Sequence, residues 1–179
     1  MSKKQKVGIV GSGKRVKMFY GPILKAMSNE FDFIGLTSRT KKNREETAKI
    51  FDVESFSSVD RMREEGVDFI ICCVSPEATY EVVSDIVGKG VAVLVETPVS
   101  DPKLVELSRQ FGARISVIEQ WPHLPLEQFK KKVISSGLIG DVFNKNVSVK
   151  TKTKRRFAYN QAFRNIIIEL SERLADESD

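Results

Sequence analysis

The stretch KVGIVGSGKRVKMFYG, residues 6–21, runs from an apolar strand into a turn that contains Gly11 and Gly13. The residues that follow are predicted to be helical. In a strand–turn–helix unit the first glycine permits a tight turn, and the second lets the backbone approach a pyrophosphate at the helix N-terminus. Val16 stands where the third glycine of the G-x-G-x-x-G fingerprint would be. The stretch therefore predicts either a dinucleotide site or a tight connection that binds no ligand.

Apolar runs alternate with amphipathic segments along the first 120 residues. The run VDFIICCVS at 67–75 is apolar without alternation, which is typical of a parallel strand covered on both faces. Strands that alternate with helices at this spacing indicate an α/β fold with a doubly wound parallel sheet, and we predict a Rossmann domain over residues 1–120. The predicted strands are 5–10, 31–39, 67–75, 91–96 and 114–120, and the predicted helices are 14–28, 41–51, 76–90 and 101–112.

The pattern changes after residue 120, and residues 121–179 are predicted to form a short α+β part. Helices are predicted at 124–137 and 159–174, with a half-exposed strand of period two at 141–154. A single strand of this kind leaves backbone donors and acceptors unpaired. We therefore expect the chain to form a homo-oligomer, or a heteromer with a longer related protein.

Composition narrows the class of protein. Hydrophobic residues make up 41% and charged residues 30%, which is typical of a globular chain, and no apolar run is long enough to span a membrane. The N-terminal residues enter a strand without the pattern of a secretory signal, and Cys72 and Cys73 are adjacent within an apolar run. These features predict a cytoplasmic protein with reduced core thiols and no metal site. The net charge of +5 permits nucleic-acid binding, but the absence of an aromatic-rich basic motif favours solvated basic faces.

The end of the second predicted strand bears on the choice of cofactor. An NAD site has a carboxylate there for the ribose 2′-hydroxyl, whereas this strand ends in Ser38 and Arg39. Asp32 lies at the other end of the strand. A hydroxyl and a guanidinium suit a 2′-phosphate, so the sequence favours NADP, with NAD as the alternative. A basic helix start that faces solvent would give the same pattern.

Six motifs together resemble the Gfo/Idh/MocA family of oxidoreductases, named after glucose-fructose oxidoreductase, inositol dehydrogenase and a rhizopine-catabolism protein. The resemblance covers about residues 5–145. It implies a Rossmann domain that binds NAD or NADP, and a C-terminal α+β domain with substrate contacts and oligomer interfaces. It also implies reversible hydride transfer at a hydroxyl carbon of a sugar, a cyclitol or a similar small molecule. The motifs are VGIVGSGKRV (7–16), GLTSRTKKNREETAKIF (35–51), VDFIICCVSPEATYEVV (67–83), GKGVAVLVETPVS (88–100), EQW (119–121) and SSGLIGDV (135–142).

The resemblance also implies roles for individual residues. The turn at 11–15 would hold the diphosphate, the residues after the second strand would hold the 2′-phosphate, and the later positions would line the path to the nicotinamide. The expected cofactor-binding residues are Gly11, Gly13, Lys14, Arg15, Ser38, Arg39, Ser75, Pro76, Glu96 and Gln120.

Two departures from the family pattern affect the catalytic assignment. Thr97 stands where the family usually has a lysine that contacts nicotinamide and substrate, and its hydroxyl does not titrate near neutral pH. The 59 residues after position 120 are too few for the usual second domain. His123, the only histidine, is the candidate proton donor, with a surface or capping role as the alternative.

These observations predict an NADP-dependent oxidoreductase that acts on a small polar, sugar-like substrate, with His123 and Thr97 as its catalytic residues. The alternative is a non-catalytic NAD(P)-binding subunit that has kept the fold without the lysine and without most of the substrate domain.

Overall fold

A computed structural model describes residues 4–99, 101–119 and 121–141, with only the backbone at Trp121. Within these residues, six strands pair in parallel in the order β3-β2-β1-β4-β5-β6. The order reverses between β1 and β4, as in a doubly wound Rossmann sheet, and the predicted α/β fold is confirmed. The strands are β1 (Gln5–Val10), β2 (Phe31–Thr37), β3 (Glu54–Ser55), β4 (Phe69–Cys72), β5 (Ala92–Glu96) and β6 (Ile115–Ile118).

Helices connect the strands, and their first residues explain where several of them begin. Pro76 occupies the first turn of its helix, where a missing N–H costs no hydrogen bond. The Ser58 hydroxyl accepts a bond of 3.4 Å from the N–H of Arg61, which caps another helix. The helices are α1 (Gly21–Ala26), α2 (Lys41–Phe51), α3 (Val59–Glu64), α4 (Pro76–Gly88), α5 (Lys103–Phe111) and α6 (Pro125–Ser135).

The core lies on both faces of the sheet. Every residue of β4 and β5 is buried. On one face, Ile70 and Val93 pack in a cluster with residues of α3, α4 and α5. Ile71 and Leu94, which alternate with them along the strands, are also fully buried. This burial of both faces explains why these strands show no polar alternation in the sequence.

The helical segment after β1 contains a π-helical turn, Val16–Tyr20, which leads directly into α1. Val16, at the third fingerprint position, is fully buried. Close packing occurs instead at Gly21, where a Cβ would lie closer than 3.0 Å to the ring of Phe51 on α2. Gly21 therefore allows α1 and α2 to approach each other.

The structure departs from the sequence prediction in several elements of the sheet domain. The predicted strand 67–75 is limited to Phe69–Cys72, and the first helical segment ends at Ala26 rather than at residue 28. The short strand β3 and the helix α3 were not predicted. A strand of two residues is too short to show a hydrophobic period in the sequence.

The chain divides into two compact units between Ile118 and Glu119. The described part of the second unit contains a 3₁₀ turn, Trp121–His123, and α6. The predicted strand at 141–154 falls almost wholly outside the described residues, and the predicted helix at 159–174 falls entirely outside them, so the two-domain division at residue 120 stays a prediction. None of the described helices combines the length and the apolar character that a membrane span requires.

Candidate functional site

The glycine turn lies at the carboxyl edge of the sheet, where the strand order reverses. The N–H of Gly11 donates to the carbonyl of Thr37 at the end of β2, and the N–H of Cys73 after β4 donates to the carbonyl of Val10, both at 2.8 Å. Gly11 has a φ of +133°, and a Cβ there would lie closer than 3.0 Å to the Cys73 carbonyl oxygen. Glycine is therefore required at this position by the fold itself.

Gly13 differs, because a Cβ on this residue would meet no atom within 4 Å. Gly13 is exposed and has no positive φ, so neither packing nor backbone conformation within the described chain calls for glycine. The open space lies at the start of the helical segment, where free backbone N–H groups favour an anion. These features fit the diphosphate of a dinucleotide.

Hydroxyl groups tie this turn to the loop after β2. Ser12 Oγ donates a 2.9 Å hydrogen bond to Ser38 Oγ. The hydroxyl of Thr47 on α2 lies 2.7 Å from the carbonyl oxygen of Asn43 and 3.3 Å from that of Ser12. The two segments predicted to hold the diphosphate and the 2′-phosphate are thus in direct contact.

Arg44 supports the loop after β2 and was not among the predicted site residues. Its Nη1 donates to the carbonyl of Ser38 at 3.4 Å, and its Nε donates to Ser55 Oγ at 3.1 Å. Arg39 is exposed in the same loop, whereas Asp32 lies at the opposite end of β2, beside Lys6 of β1. The only sequence signal for Arg44 was its place in a basic run.

Glu96, the last residue of β5, is the buried carboxylate of this edge. Its Oε1 accepts bonds from Arg15 Nη1 at 3.1 Å, from the Thr97 N–H at 3.0 Å and from the Thr97 hydroxyl at 3.2 Å. Its Oε2 is buried and has no hydrogen-bond partner among the described residues. Burial raises the pKa of Glu96, and Arg15 and Thr97 offset part of that rise. Arg15, Glu96 and Thr97 are therefore brought together, as three of the predicted site residues.

Thr97 is half-buried and directs both its N–H and its hydroxyl proton toward Glu96. The peptide bond between Thr97 and Pro98 is cis. Through these two hydrogen bonds Thr97 holds the Glu96 carboxylate in place.

Ser75 and Pro76 start α4 after β4 and are exposed at the same edge. The Ser75 carbonyl accepts a 3.0 Å bond from the Thr79 hydroxyl, which fixes the first turn of the helix. Cys73 precedes them, and burial raises the pKa of its thiol to about 11 despite the nearby Arg15. The Cys73 thiol is therefore neutral at physiological pH and does not compete with Glu96 for Arg15.

The other predicted site residues remain predictions. Lys14 is exposed beside the glycine turn. His123 is half-buried in the 3₁₀ turn of the second unit. Gln120 lies outside the described residues.

The sequence profile of an oxidoreductase family with an NAD-binding Rossmann fold matches residues 5–116. This chain belongs to the Gfo/Idh/MocA family. The matched range contains β1 to β5, the glycine turn and the Arg15–Glu96 ion pair.

Known members resemble the chain in sequence and in fold. It is 23% identical over 145 residues to an uncharacterized oxidoreductase of Schizosaccharomyces pombe. It is 28% identical, with a TM-score of 0.67, to a crystal structure of an oxidoreductase from Thermotoga maritima, over 92% of this chain and 60% of that one. It shares the fold, with a TM-score of 0.63 at 19% identity, with KijD10, a 3-ketoreductase of Actinomadura kijaniata crystallised with NADP, over 78% of this chain and 46% of that one.

The chain spans only part of these relatives. The match with the yeast oxidoreductase includes 76% of this chain but 39% of the relative. The resemblance therefore establishes the family and the nucleotide-binding domain of this protein.

Proposed function

We propose that this chain is an NADP-preferring oxidoreductase that transfers hydride to or from a small polar, sugar-like substrate. The observation that carries the proposal is the open space at Gly13. This space lies where the strand order of the Rossmann sheet reverses, between β1 and β4. Bound there, a nicotinamide dinucleotide supplies the hydride chemistry. The chain's own residues would hold it through the glycine turn, through Ser38 and Arg39, and through the edge formed by Ser75, Pro76 and Glu96.

Support for NADP over NAD comes from the end of β2. The residues there, Ser38 and Arg39, are a hydroxyl and a cation, and the carboxylate of β2 lies at the far end of the strand. Arg44 adds a second guanidinium, bonded to the Ser38 carbonyl. Guanidinium groups bind phosphate oxygens bidentately, whereas the ribose 2′-hydroxyl of NAD favours a carboxylate.

Titration with NADPH and NADH, followed by protein fluorescence or calorimetry, tests this proposal. Arg39→Ala should weaken NADPH by about tenfold and NADH much less, because only NADPH carries the 2′-phosphate. Lys49→Ala, at the far end of α2, removes one exposed positive charge as a matched control. Equal losses for both cofactors would overturn the 2′-phosphate assignment, and no binding of either at millimolar concentration would overturn the proposal.

His123 is proposed as the proton donor to the substrate oxygen, because Thr97 cannot supply a titrating group near neutral pH. His123→Asn should lower turnover by about a hundredfold or more and leave NADPH affinity nearly unchanged. Wild-type turnover in this variant would exclude His123 as the donor.

The second candidate function is a non-catalytic dinucleotide-binding subunit, and Thr97 at the usual lysine position favours it. NADPH binding without reduction of any sugar, cyclitol or keto-sugar in a substrate panel would select it. A turnover that depends on His123 would exclude it.

Assembly and location belong to the same proposal. We expect the chain to work in the cytoplasm as a homo-oligomer or with a longer family member. Light scattering of the purified chain tests the assembly, and an active monomer at micromolar concentration would overturn it.

A further inference from the structure

Arg15 is positioned between the glycine turn and the buried carboxylate of Glu96. It lies two residues after Gly13, and its side chain is 48% exposed. The described contact with Glu96 is a single bond of 3.1 Å from Nη1 to Oε1. A guanidinium has five donor hydrogens, so this contact leaves most of them available for another anion.

The contact with Arg15 favours the ionised form of Glu96. Its side chain is only 7% exposed, and no described residue donates a hydrogen bond to Oε2 that would compensate for lost hydration. Arg15 is the charged side chain that favours its ionised form, and Thr97 adds two hydrogen bonds. Two described residues on the flanking strands add no charge: Ile118 is the register partner of Glu96 on β6, and Cys73, which follows β4, carries a neutral thiol.

A dinucleotide diphosphate in the glycine turn would act on this pair in two ways. It offers two negative charges and paired oxygens, and a guanidinium matches such oxygens better than it matches one oxygen of a carboxylate. It also brings like charge toward Glu96, and a bound ligand reduces the remaining hydration of the site. Both effects disfavour an ionised Glu96.

We infer that dinucleotide binding transfers Arg15 from Glu96 to the diphosphate and that Glu96 takes up one proton from solvent in the same step. The inference rests on the proposed dinucleotide site. Glu96 is here a proton-binding partner of Arg15, so that the chain binds its cofactor together with a proton.

Isothermal titration calorimetry with NADPH and NADH tests the inference. Titrations at pH 7, 8 and 9 in buffers of different ionisation enthalpy yield the number of protons taken up per cofactor bound. With either cofactor, the wild-type chain should take up as much as one proton more per cofactor bound than the Glu96→Gln variant does. Its Kd should rise by up to tenfold per pH unit where Glu96 is ionised in the free protein.

Two variants and one control separate the roles. Glu96→Gln keeps the shape of the side chain and should remove the proton uptake and the pH dependence. Arg15→Met should also lower the uptake, because loss of the cation shifts Glu96 toward its protonated form before binding. Glu106→Gln removes an exposed carboxylate on α5 and should match the wild-type chain. Thermal unfolding checks that each variant is folded.

The outcomes are distinct. Binding with the same proton uptake in the wild-type chain and in Glu96→Gln would overturn the inference and leave the proposed function intact. Equal uptake in Arg15→Met and the wild-type chain would show that Arg15 does not govern Glu96 and would also overturn it. Failure of both cofactors to bind would overturn the proposed function, and the inference with it.

Discussion

Ser12 Oγ donates a 2.9 Å hydrogen bond to Ser38 Oγ, and this bond joins two loops that follow neighbouring strands of the sheet. The two residues are 26 positions apart and meet because β1 and β2 are parallel and adjacent. One loop is proposed to hold the diphosphate and the other the 2′-phosphate. The bond therefore fixes the spacing between the two proposed phosphate sites.

Ser12→Ala should weaken NADPH binding by roughly two- to tenfold, because a hydrogen bond of this type contributes about 0.5–1.5 kcal/mol. The loss of affinity should be smaller for NADH, which lacks the 2′-phosphate that is proposed to lie beside Ser38. Fluorescence titration measures both affinities. Ser57→Ala, an exposed serine after β3, is the control and should bind both cofactors as the wild-type chain does. Unchanged affinity in Ser12→Ala would show that the bond does not position the loops.

The Arg15–Glu96 pair predicts how stability varies with pH. Burial raises the folded-state pKa of Glu96 above its ordinary value of 4.5. The folded state therefore binds the Glu96 proton more tightly than the unfolded state does. The contribution of Glu96 to stability is full below about pH 4.5 and is lost as the pH rises through the folded value, by up to about 1.4 kcal/mol per pH unit.

Arg15→Met should raise the pKa of Glu96 further and so extend to higher pH the range over which stability falls. The drop in melting temperature relative to the wild-type chain should be larger at pH 8 than at pH 5. Glu96→Gln has no proton to lose and should flatten the pH dependence. Arg109→Met removes an exposed cation of α5 as the control. Equal drops at both pH values in Arg15→Met would contradict the assignment.

The parallel sheet could be predicted from sequence because its central strands are buried on both faces, which leaves continuous apolar runs such as Phe69–Cys72. The glycine turn was readable for a similar reason, since Gly11 is required by its own backbone conformation. Both signals are local. A strand of two residues, β3, carries no such signal and was missed.

The Arg15–Glu96 pair could not be predicted, because the two residues are 81 positions apart and meet only through the order of the strands. The burial of Glu96 Oε2 likewise depends on packing that no local pattern encodes. Arg44 could not be predicted because it lies in a basic run, and nothing in the sequence distinguishes it from the exposed side chains around it. Its contacts with Ser38 and Ser55 single it out only in three dimensions.

The two cysteines should be unreactive in the folded chain. Burial raises the pKa of Cys72 to about 12 and that of Cys73 to about 11, so that very little thiolate exists near neutral pH. Labelling with a thiol-specific disulfide reagent at pH 7.5 should be slow in buffer and rapid in denaturant. Rapid labelling of either cysteine in the native chain would contradict the raised pKa of its thiol.

Gly11→Ala and Gly13→Ala should distinguish a glycine that is required for stability from one that is required for cofactor binding. At Gly11 the new Cβ would overlap the Cys73 carbonyl in a backbone conformation that alanine disfavours, so the free energy of unfolding should fall by about 2–4 kcal/mol. At Gly13 the Cβ would enter open space, so the stability should change by less than about 1 kcal/mol. Urea unfolding measures both values.

NADPH titration of the same pair completes the comparison. Gly13→Ala places a methyl group where the diphosphate is proposed to approach the backbone, so its affinity should fall by tenfold or more while the chain stays as stable as the wild type. A third variant, Gly88→Ala, provides the control, because a Cβ at the end of α4 also meets no atom within 4 Å and lies away from the glycine turn. It should bind NADPH as the wild-type chain does. If Gly13→Ala binds as tightly as Gly88→Ala, the space at Gly13 is not where the diphosphate lies.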